Sequence, residues 1–157
     1  MNLGILGGGS FGMALAVHLS RNGHTVMVWE IDTKRVDYIK KNKKHDLLPQ
    51  AQIPPSLIFS SDISVITDCP VVLVAVPSQF VADSCQQAKE YLKKDTIVVC
   101  CSKGFDPERK QVLYLCMKEV LRNAVAVLSG PSHAEELVHG KLTGVVIASE
   151  HKNIYEQ

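Results

Sequence analysis

A glycine-rich segment close to the N-terminus constrains the fold more than any other feature of the sequence. The six residues Gly7-Gly-Gly-Ser-Phe-Gly12 follow the apolar run 3–6 and precede the helix-forming run 13–17. A Gly-x-Gly-x-x-Gly segment between a buried strand and a helix is typical of the first turn of a doubly wound sheet. Its glycines allow a sharp turn and close packing of the helix against the strand. The rest of the chain should therefore alternate strands with crossover helices.

Hydrophobic periodicity continues this alternation along the chain. Apolar, β-branched runs predict strands at residues 2–6, 25–29, 71–76, 96–101, 124–128 and 144–148. Helical patterns cover residues 10–22, 33–41, 78–92, 108–121 and 132–139, and residues 150–157 look like the start of another helix. Strands as apolar as 71–76 require a sheet that is covered on both faces. We therefore predict a Rossmann-type, doubly wound α/β domain over residues 1–157, with a mainly parallel sheet and helices on both faces.

One segment, residues 43–61, lacks clear periodicity and contains three prolines. We interpret it as an irregular excursion with a short strand near residues 57–59. The basic run that leads into it, Lys40 to His45, is interpreted as a solvated helix end.

Composition excludes several classes of function. The formal net charge of +1 argues against a nucleic-acid binder. The five cysteines form no CxxC pair, so we predict reduced core thiols in a cytoplasmic protein, with Cys100 and Cys101 on opposite faces of a strand. No metal-binding spacing, export signal or membrane-spanning stretch is recognisable in the sequence.

The glycine loop and an acid after the second predicted strand together indicate a dinucleotide site. Gly7 provides the sharp turn, Gly9 leaves room for a pyrophosphate, Gly12 allows close packing, and the helix N-terminus attracts the anion. Glu30 can accept hydrogen bonds from the adenosine ribose and would repel a 2′-phosphate, which favours NAD over NADP. Lys34 and Arg35 lie close enough in sequence to weaken this preference, so NADP use stays possible.

Three further segments follow later strands, at the edge of the sheet where doubly wound folds bind ligands. Phe80 could shield a nicotinamide or simply belong to the core. Lys103 could polarise a carbonyl oxygen or neutralise an anionic substrate. The segment Ser129-Gly-Pro-Ser-His-Ala-Glu-Glu136 opens a helix, whose first N–H groups could hold a substrate oxygen or could be capped by Ser129 or Ser132. His133 is a candidate acid or base, although a histidine in a first turn is usually just exposed.

Taken in order, these segments resemble the N-terminal domain of NAD(P)-dependent glycerol-3-phosphate dehydrogenase. The resemblance rests on Gly7 to Ala16, Asn22-Gly-His24, Trp29, Val76-Pro-Ser78, Ser102-Lys-Gly104 and Ser129 to Glu135. It implies the reversible oxidation of sn-glycerol 3-phosphate to dihydroxyacetone phosphate, which links glycolysis to phospholipid synthesis.

The resemblance also implies roles for individual residues. Contacts to the cofactor are implied for Ser10, Phe11, Phe80, Lys103 and Ala134. Contacts to the substrate are implied for Lys103, Gly130 and Ser132, with Lys103 as the catalytic residue. Bacterial members often have a histidine or arginine where this chain has Ile31, and that difference fits the preference for NAD.

The resemblance further implies a homodimer in the full-length form and a C-terminal helical domain that is not part of this sequence. The family's proton-accepting lysine and an arginine-asparagine pair lie in that domain, so we expect this chain to be the cofactor-binding half of the enzyme. Two alternatives stay open. One is another dehydrogenase of the 3-hydroxyacyl-CoA or 6-phosphogluconate type, and the other is a non-enzymatic NAD(H)-sensing module.

Overall fold

A seven-stranded sheet organises the protein, whose computed structural model describes residues 1–152 and 154. The strands of this sheet are β1 (Asn2–Leu6), β2 (Thr25–Trp29), β3 (Ile58–Ser60), β4 (Val71–Val74), β5 (Ile97–Cys100), β8 (Val125–Ser129) and β9 (Val146–Ser149). Two more strands, β6 (Phe105–Asp106) and β7 (Gln111–Val112), form a small hairpin of their own. The strand order β3-β2-β1-β4-β5-β8-β9 confirms the predicted doubly wound sheet.

The sheet is parallel except at one edge, where β9 pairs antiparallel with β8. The strand order reverses at β1, which lies between β2 and β4. Leu6 is in register with Trp29 on one side and with Val74 on the other. The loops after β1, β2 and β4 therefore leave the sheet at the same level, and in such folds the ligand binds in this crevice.

Helices cover both faces of the sheet. They are α1 (Ser10–Arg21), α2 (Thr33–Asn42), α3 (Val81–Ala88), α4 (Leu113–Val120) and α5 (Ala134–Val138). Because strand side chains alternate between faces, Ile5 belongs to the core under α1 and Leu6 to the core under α3 and α4. Cys101 and Cys100 divide between the same two cores, which confirms their predicted placement on opposite faces.

The predicted helix over residues 108–121 is wrong in its first part. The carboxylate of Asp106 accepts hydrogen bonds from the backbone N–H groups of Glu108 (3.0 Å) and Arg109 (2.8 Å). The same pair of bonds starts α2 at Asp32, so such bonds occur at helix N-termini as well as in turns. Lys110 then adopts a positive φ of 54°, and the chain forms the β6–β7 hairpin before α4 begins.

Other predicted boundaries move by smaller amounts. Of the single helix predicted over residues 78–92, residues 81–88 form α3, with one 3₁₀ turn on each side at Ser78–Phe80 and Lys89–Tyr91. Strand β4 ends two residues earlier than predicted, ahead of Pro77, which has no N–H for a further ladder bond. Half of the residues in the helix predicted over 150–157, namely 153 and 155–157, lie outside the described residues, and this helix stays a prediction.

Candidate functional site

The glycine loop makes the turn that the sequence predicts. Gly7 has a φ of +104°, and a Cβ added there would lie 2.8 Å from the carbonyl oxygen of Ala75. A Cβ added to Gly12 would collide with the carbonyl oxygen of Gly7. Both positions therefore require glycine, because the loop is packed tightly between the ends of β1 and β4 and the start of α1.

Gly9 differs from these two glycines, because the fold itself does not require glycine at this position. A Cβ at this position would have nothing within 4 Å, and the backbone φ of −70° suits any residue. Gly9 also caps α1 without a side-chain hydrogen bond, and the first turn of α1 holds no acidic residue. The loop thus presents open space in front of N–H groups at the positive end of a twelve-residue helix, which fits a phosphate group.

Glu30 lies beside this loop at the end of β2, and its side chain is almost fully buried. Its two carboxylate oxygens accept hydrogen bonds from the N–H groups of Gly8 (3.0 Å) and Asp32 (2.9 Å). Arg35 approaches the oxygen that binds Gly8, at 3.4 Å. A carboxylate has about four lone-pair sites, so Glu30 keeps acceptor capacity for a ligand hydroxyl.

A cavity of about 500 Å³ opens at Glu30. Its lining includes Glu30, Ile31, Arg35 and Phe80. Phe80 is half exposed and does not line the cavity that contains Lys103. Since the acid after the second strand marks the adenosine end of such sites, Phe80 lies on the adenosine side. Its exposure shows that the interpretation of Phe80 as a core residue is wrong, whereas a contact with the cofactor stays a prediction.

A second cavity, of about 490 Å³, lies on the other side of the glycine loop. It brings together most of the remaining predicted site residues, namely Gly9, Ser10, Phe11, Lys103, Ser132 and Ala134. The two cavities share Gly9, Leu47, Ala75, Val76 and Pro77. The crevice is therefore continuous, with Gly9 near its middle, and its shape suits a ligand that has two ends joined by an anionic linker.

The ammonium of Lys103 is held at the edge of this second cavity. Nζ donates to the carbonyl oxygens of Gly130 and Ser132, both at 3.3 Å. It also lies 5.6 Å from the centre of the Phe11 ring, where the ring's negative face attracts a cation. An ammonium has three N–H donors. The two carbonyls therefore fix its position and leave one donor for a ligand in the cavity.

The segment after β8 supplies these carbonyls, which sequence reasoning did not foresee. Gly130 has a φ of +149°, and a Cβ there would collide with the carbonyl oxygen of Gly144. The hydroxyl of Ser132 donates to the carbonyl oxygen of Gly130, at 3.4 Å. The side chain of Ser132 therefore does not cap α5, whose N-cap is His133 without a side-chain bond. His133 is exposed at the rim of the cavity.

Two residues at the crevice carry no recognisable signal in the sequence. Leu47 lines both cavities although it lies in the segment interpreted as an irregular excursion. His45 is only 1% exposed, so its interpretation as part of a solvated helix end is wrong, whereas Lys40 to Lys44 are exposed. Their placement depends on how the chain after α2 folds back onto the glycine loop.

The five cysteines are free and buried, as predicted. Burial raises the pKa of Cys85 and Cys101 to about 12 and that of Cys69 and Cys100 to about 11. Only the thiolate reacts as a nucleophile. We therefore expect negligible labelling of the folded chain by a thiol-specific disulfide reagent at about pH 8, and labelling of all five thiols in denaturant. Rapid labelling of a folded-state cysteine, with the denatured chain as the control, would contradict the buried placement.

The described residues offer neither a cluster of metal ligands nor a membrane-spanning helix. Among them, no three His, Cys, Asp or Glu side chains are grouped so that they could hold a metal ion. Within the same residues, no helix has the length and apolar character needed to cross a bilayer.

The reversed strand order, the glycine loop and the continuous crevice define a dinucleotide-binding domain of the doubly wound class. A family model described as NAD-dependent glycerol-3-phosphate dehydrogenase N-terminus matches residues 2–155, and the chain belongs to this family.

Relatives and solved structures agree with this assignment. A glycerol-3-phosphate dehydrogenase [NAD(P)+] of Clostridium botulinum is 38% identical over 150 residues, which cover 94% of this chain and 46% of the relative. Its counterpart from Syntrophotalea carbinolica is 37% identical over 160 residues, covering 98% of this chain and 48% of that protein. The crystal structure of glycerol-3-phosphate dehydrogenase from Coxiella burnetii superposes with a TM-score of 0.91 at 27% identity, over 99% of this chain and 48% of the other. The chain thus spans about half the length of the relatives it matches.

Proposed function

We propose that this chain is the cofactor-binding half of an sn-glycerol-3-phosphate dehydrogenase. In this proposal it holds NAD(H) for hydride transfer between the cofactor and dihydroxyacetone phosphate or glycerol 3-phosphate. The observation that carries the proposal is the position of Lys103. Its ammonium is fixed by the carbonyls of Gly130 and Ser132 in the cavity that adjoins the glycine loop.

Different residues of the crevice bind different parts of the cofactor. The open loop at Gly9 and the start of α1 receive the pyrophosphate. Glu30 accepts hydrogen bonds from the adenosine ribose with the acceptor capacity that Gly8 and Asp32 leave. The nicotinamide end then extends past Phe11 into the cavity of Lys103.

The cavity of Lys103 receives the substrate. NADH, when bound, supplies the hydride that reduces the carbonyl carbon. The remaining N–H donor of Lys103 is directed to a substrate oxygen, where a positive charge stabilises the negative charge that develops during reduction. The carbonyls of Gly130 and Ser132 fix the position of this lysine, and Ser132 also lines its cavity, so both residues lie on the substrate's side of the crevice. The role of Ala134 is a cofactor contact at the same cavity.

The rest of the proposal concerns the longer protein. Its C-terminal helical domain supplies a second lysine that exchanges the proton, and the full-length protein forms a homodimer. We also propose a cytoplasmic location, which the buried, unpaired cysteines support. Size-exclusion chromatography with light scattering tests the homodimer directly.

The substrate distinguishes this proposal from its alternatives. A full-length protein that contains this chain should oxidise NADH in the presence of dihydroxyacetone phosphate. It should leave acetoacetyl-CoA unreduced and 6-phosphogluconate unoxidised. Activity with either of those compounds would favour another class of dehydrogenase. NADH binding without activity on any of the three would favour an NAD(H)-sensing module.

The chain should bind NADH more tightly than NADPH. Glu30 places a carboxylate where the 2′-phosphate would lie, and Arg35 is already paired with Asp46 at 3.1 Å and with Glu30 at 3.4 Å. Desolvation opposes the ionisation of Asp46, but the hydrogen bond and charge of Arg35 outweigh it and lower the pKa of this carboxyl group. The two carboxylates therefore balance the positive charge of Arg35, which then attracts a 2′-phosphate less strongly. Calorimetric titration should show an affinity for NADH about tenfold higher than for NADPH.

Two variants test the origin of this preference. Glu30→Gln should narrow the difference in affinity between NADH and NADPH. It should also weaken the binding of NADH itself, because one of the two backbone N–H groups that Glu30 binds would then face an amide NH₂ group. Arg35→Ala should leave the preference for NADH intact. If the parent chain bound NADPH more tightly at moderate salt, Glu30 would not decide the specificity, and Arg35 or Lys34 would be a phosphate contact.

A further inference from the structure

The middle residue of the glycine loop, Gly8, is held by side chains at both of its polar backbone groups. Its N–H donates to Oε2 of Glu30 at 3.0 Å, and its carbonyl oxygen lies 2.7 Å from Nε2 of His45. A carbonyl oxygen can only accept a hydrogen bond. His45 therefore carries a proton on Nε2 and donates it to Gly8.

The two side chains that hold Gly8 are linked to each other. Arg35 pairs with Glu30 at 3.4 Å and with Asp46 at 3.1 Å. Oδ1 of Asp46 lies 3.7 Å from Nδ1 of His45, a buried nitrogen that has no hydrogen-bond partner in the described part of the chain. A ring of polar contacts thus closes on Gly8 through Glu30, Arg35, Asp46 and His45.

The bond from His45 has a geometric consequence for the next residue. The carbonyl of Gly8 and the N–H of Gly9 belong to one planar, trans peptide, so they point in opposite directions. When His45 holds the carbonyl, the Gly9 N–H is directed away from His45. No acceptor is assigned to this N–H among the described residues, and the space in front of the Gly9 Cα is open.

We propose that His45 is a positioning residue of the cofactor site, which orients the Gly8–Gly9 peptide so that the Gly9 N–H donates to the cofactor's pyrophosphate. This inference rests on the proposed function, because it assumes that a dinucleotide binds at the glycine loop. It adds a residue from the irregular segment after α2 to the binding machinery. His45 itself touches no ligand and acts through Gly8.

Two amides of different length test the proposal. The side-chain nitrogen of glutamine lies the same number of bonds from Cβ as Nε2 of histidine, whereas that of asparagine is one bond shorter. His45→Gln should therefore keep the bond to Gly8 and bind NADH within about threefold of the parent. His45→Asn leaves the Gly8 carbonyl without its donor, so NADH affinity should fall by about tenfold or more.

The measurement is calorimetric titration of the chain with NADH, together with thermal unfolding of each free variant. If both variants bound NADH as tightly as the parent, the proposed role of His45 would be overturned. An equal loss of NADH affinity in both variants would also overturn it, because it would show a packing effect. If the parent itself failed to bind NADH, the proposed function would fail first, so the two failures are distinguishable. If His45→Asn does not fold, an NMR titration of the parent chain with NADH tests the proposal instead. NADH must shift both the Gly9 amide and the His45 Nε2 resonances, and unchanged resonances would overturn the proposal.

Discussion

Replacing Gly9 by valine should abolish detectable NADH binding while the chain stays folded. The backbone at Gly9 suits any residue, and an added Cβ would have no neighbour within 4 Å, so the folded protein accepts the larger side chain. The same side chain would fill the space that the pyrophosphate needs. Loss of two charge-assisted hydrogen bonds to the anion corresponds to a decrease in affinity of at least about 100-fold.

Other glycines of the chain provide matched controls. Gly144→Val also adds its side chain where a Cβ meets open space, but Gly144 lines neither cavity, so NADH affinity should be unchanged. Gly7→Ala places a Cβ 2.8 Å from the Ala75 carbonyl oxygen at a φ of +104°, so this variant should lose stability instead. Calorimetry and thermal unfolding of the three variants separate the two effects. A Gly9→Val variant that bound NADH like the parent would show that the pyrophosphate does not bind at this loop.

The contrast between these glycines shows what local sequence can predict. The strand, the loop and the helix are adjacent in sequence, and their side chains have the expected periodicities. The sheet order follows because crossover connections leave few arrangements for alternating strands and helices. This is why β1 and β2 match their predicted bounds residue for residue.

Features that depend on distant contacts were not predictable in this way. The burial of His45 arises from its bond to Gly8, which is 37 residues away. The Lys103 ammonium is fixed by carbonyls 27 and 29 residues further along the chain, where the sequence suggested either a ligand-binding helix N-terminus or a helix cap. The position of Phe80 depends on the short 3₁₀ turn that precedes α3. Hydrophobic patterns record burial and periodicity, whereas these contacts depend on which loops meet at the end of the sheet.

The hairpin of β6 and β7 was not predicted because the signal of its aspartate is ambiguous. The carboxylate of Asp106 accepts hydrogen bonds from the N–H groups of the residues two and three positions later. Asp32 accepts the same pair of bonds at the start of α2, so aspartate makes them at helix N-termini as well as in turns. After Asp106 the chain instead turns through Lys110, which has a positive φ of 54°, and α4 begins only at Leu113.

The chain by itself should not reduce dihydroxyacetone phosphate at a measurable steady rate, although the full-length protein should. Reduction of a ketone needs a proton at oxygen as the hydride arrives at carbon, and a positioned general acid or base typically contributes about 100- to 10,000-fold. Lys103 is the only lysine that lines the two cavities of the described chain. Its ammonium is tied to two carbonyls, which suits a fixed charge better than a group that must exchange a proton.

Within the full-length protein, Lys103→Ala should lower kcat and raise the KM for dihydroxyacetone phosphate together. In the proposed function this charge stabilises the developing alkoxide and also binds the substrate, so we expect a loss in kcat/KM of at least about 100-fold. NADH affinity should change less, because the loop at Gly9 and the acid at Glu30 remain. Lys94→Ala is the control, since Lys94 lies outside both cavities and the variant removes the same charge. The assay follows NADH consumption by the chain, the full-length protein and both variants. Steady turnover by the chain alone would place the proton donor within residues 1–157, and His133, exposed at the rim of the Lys103 cavity, would then be the first residue to substitute.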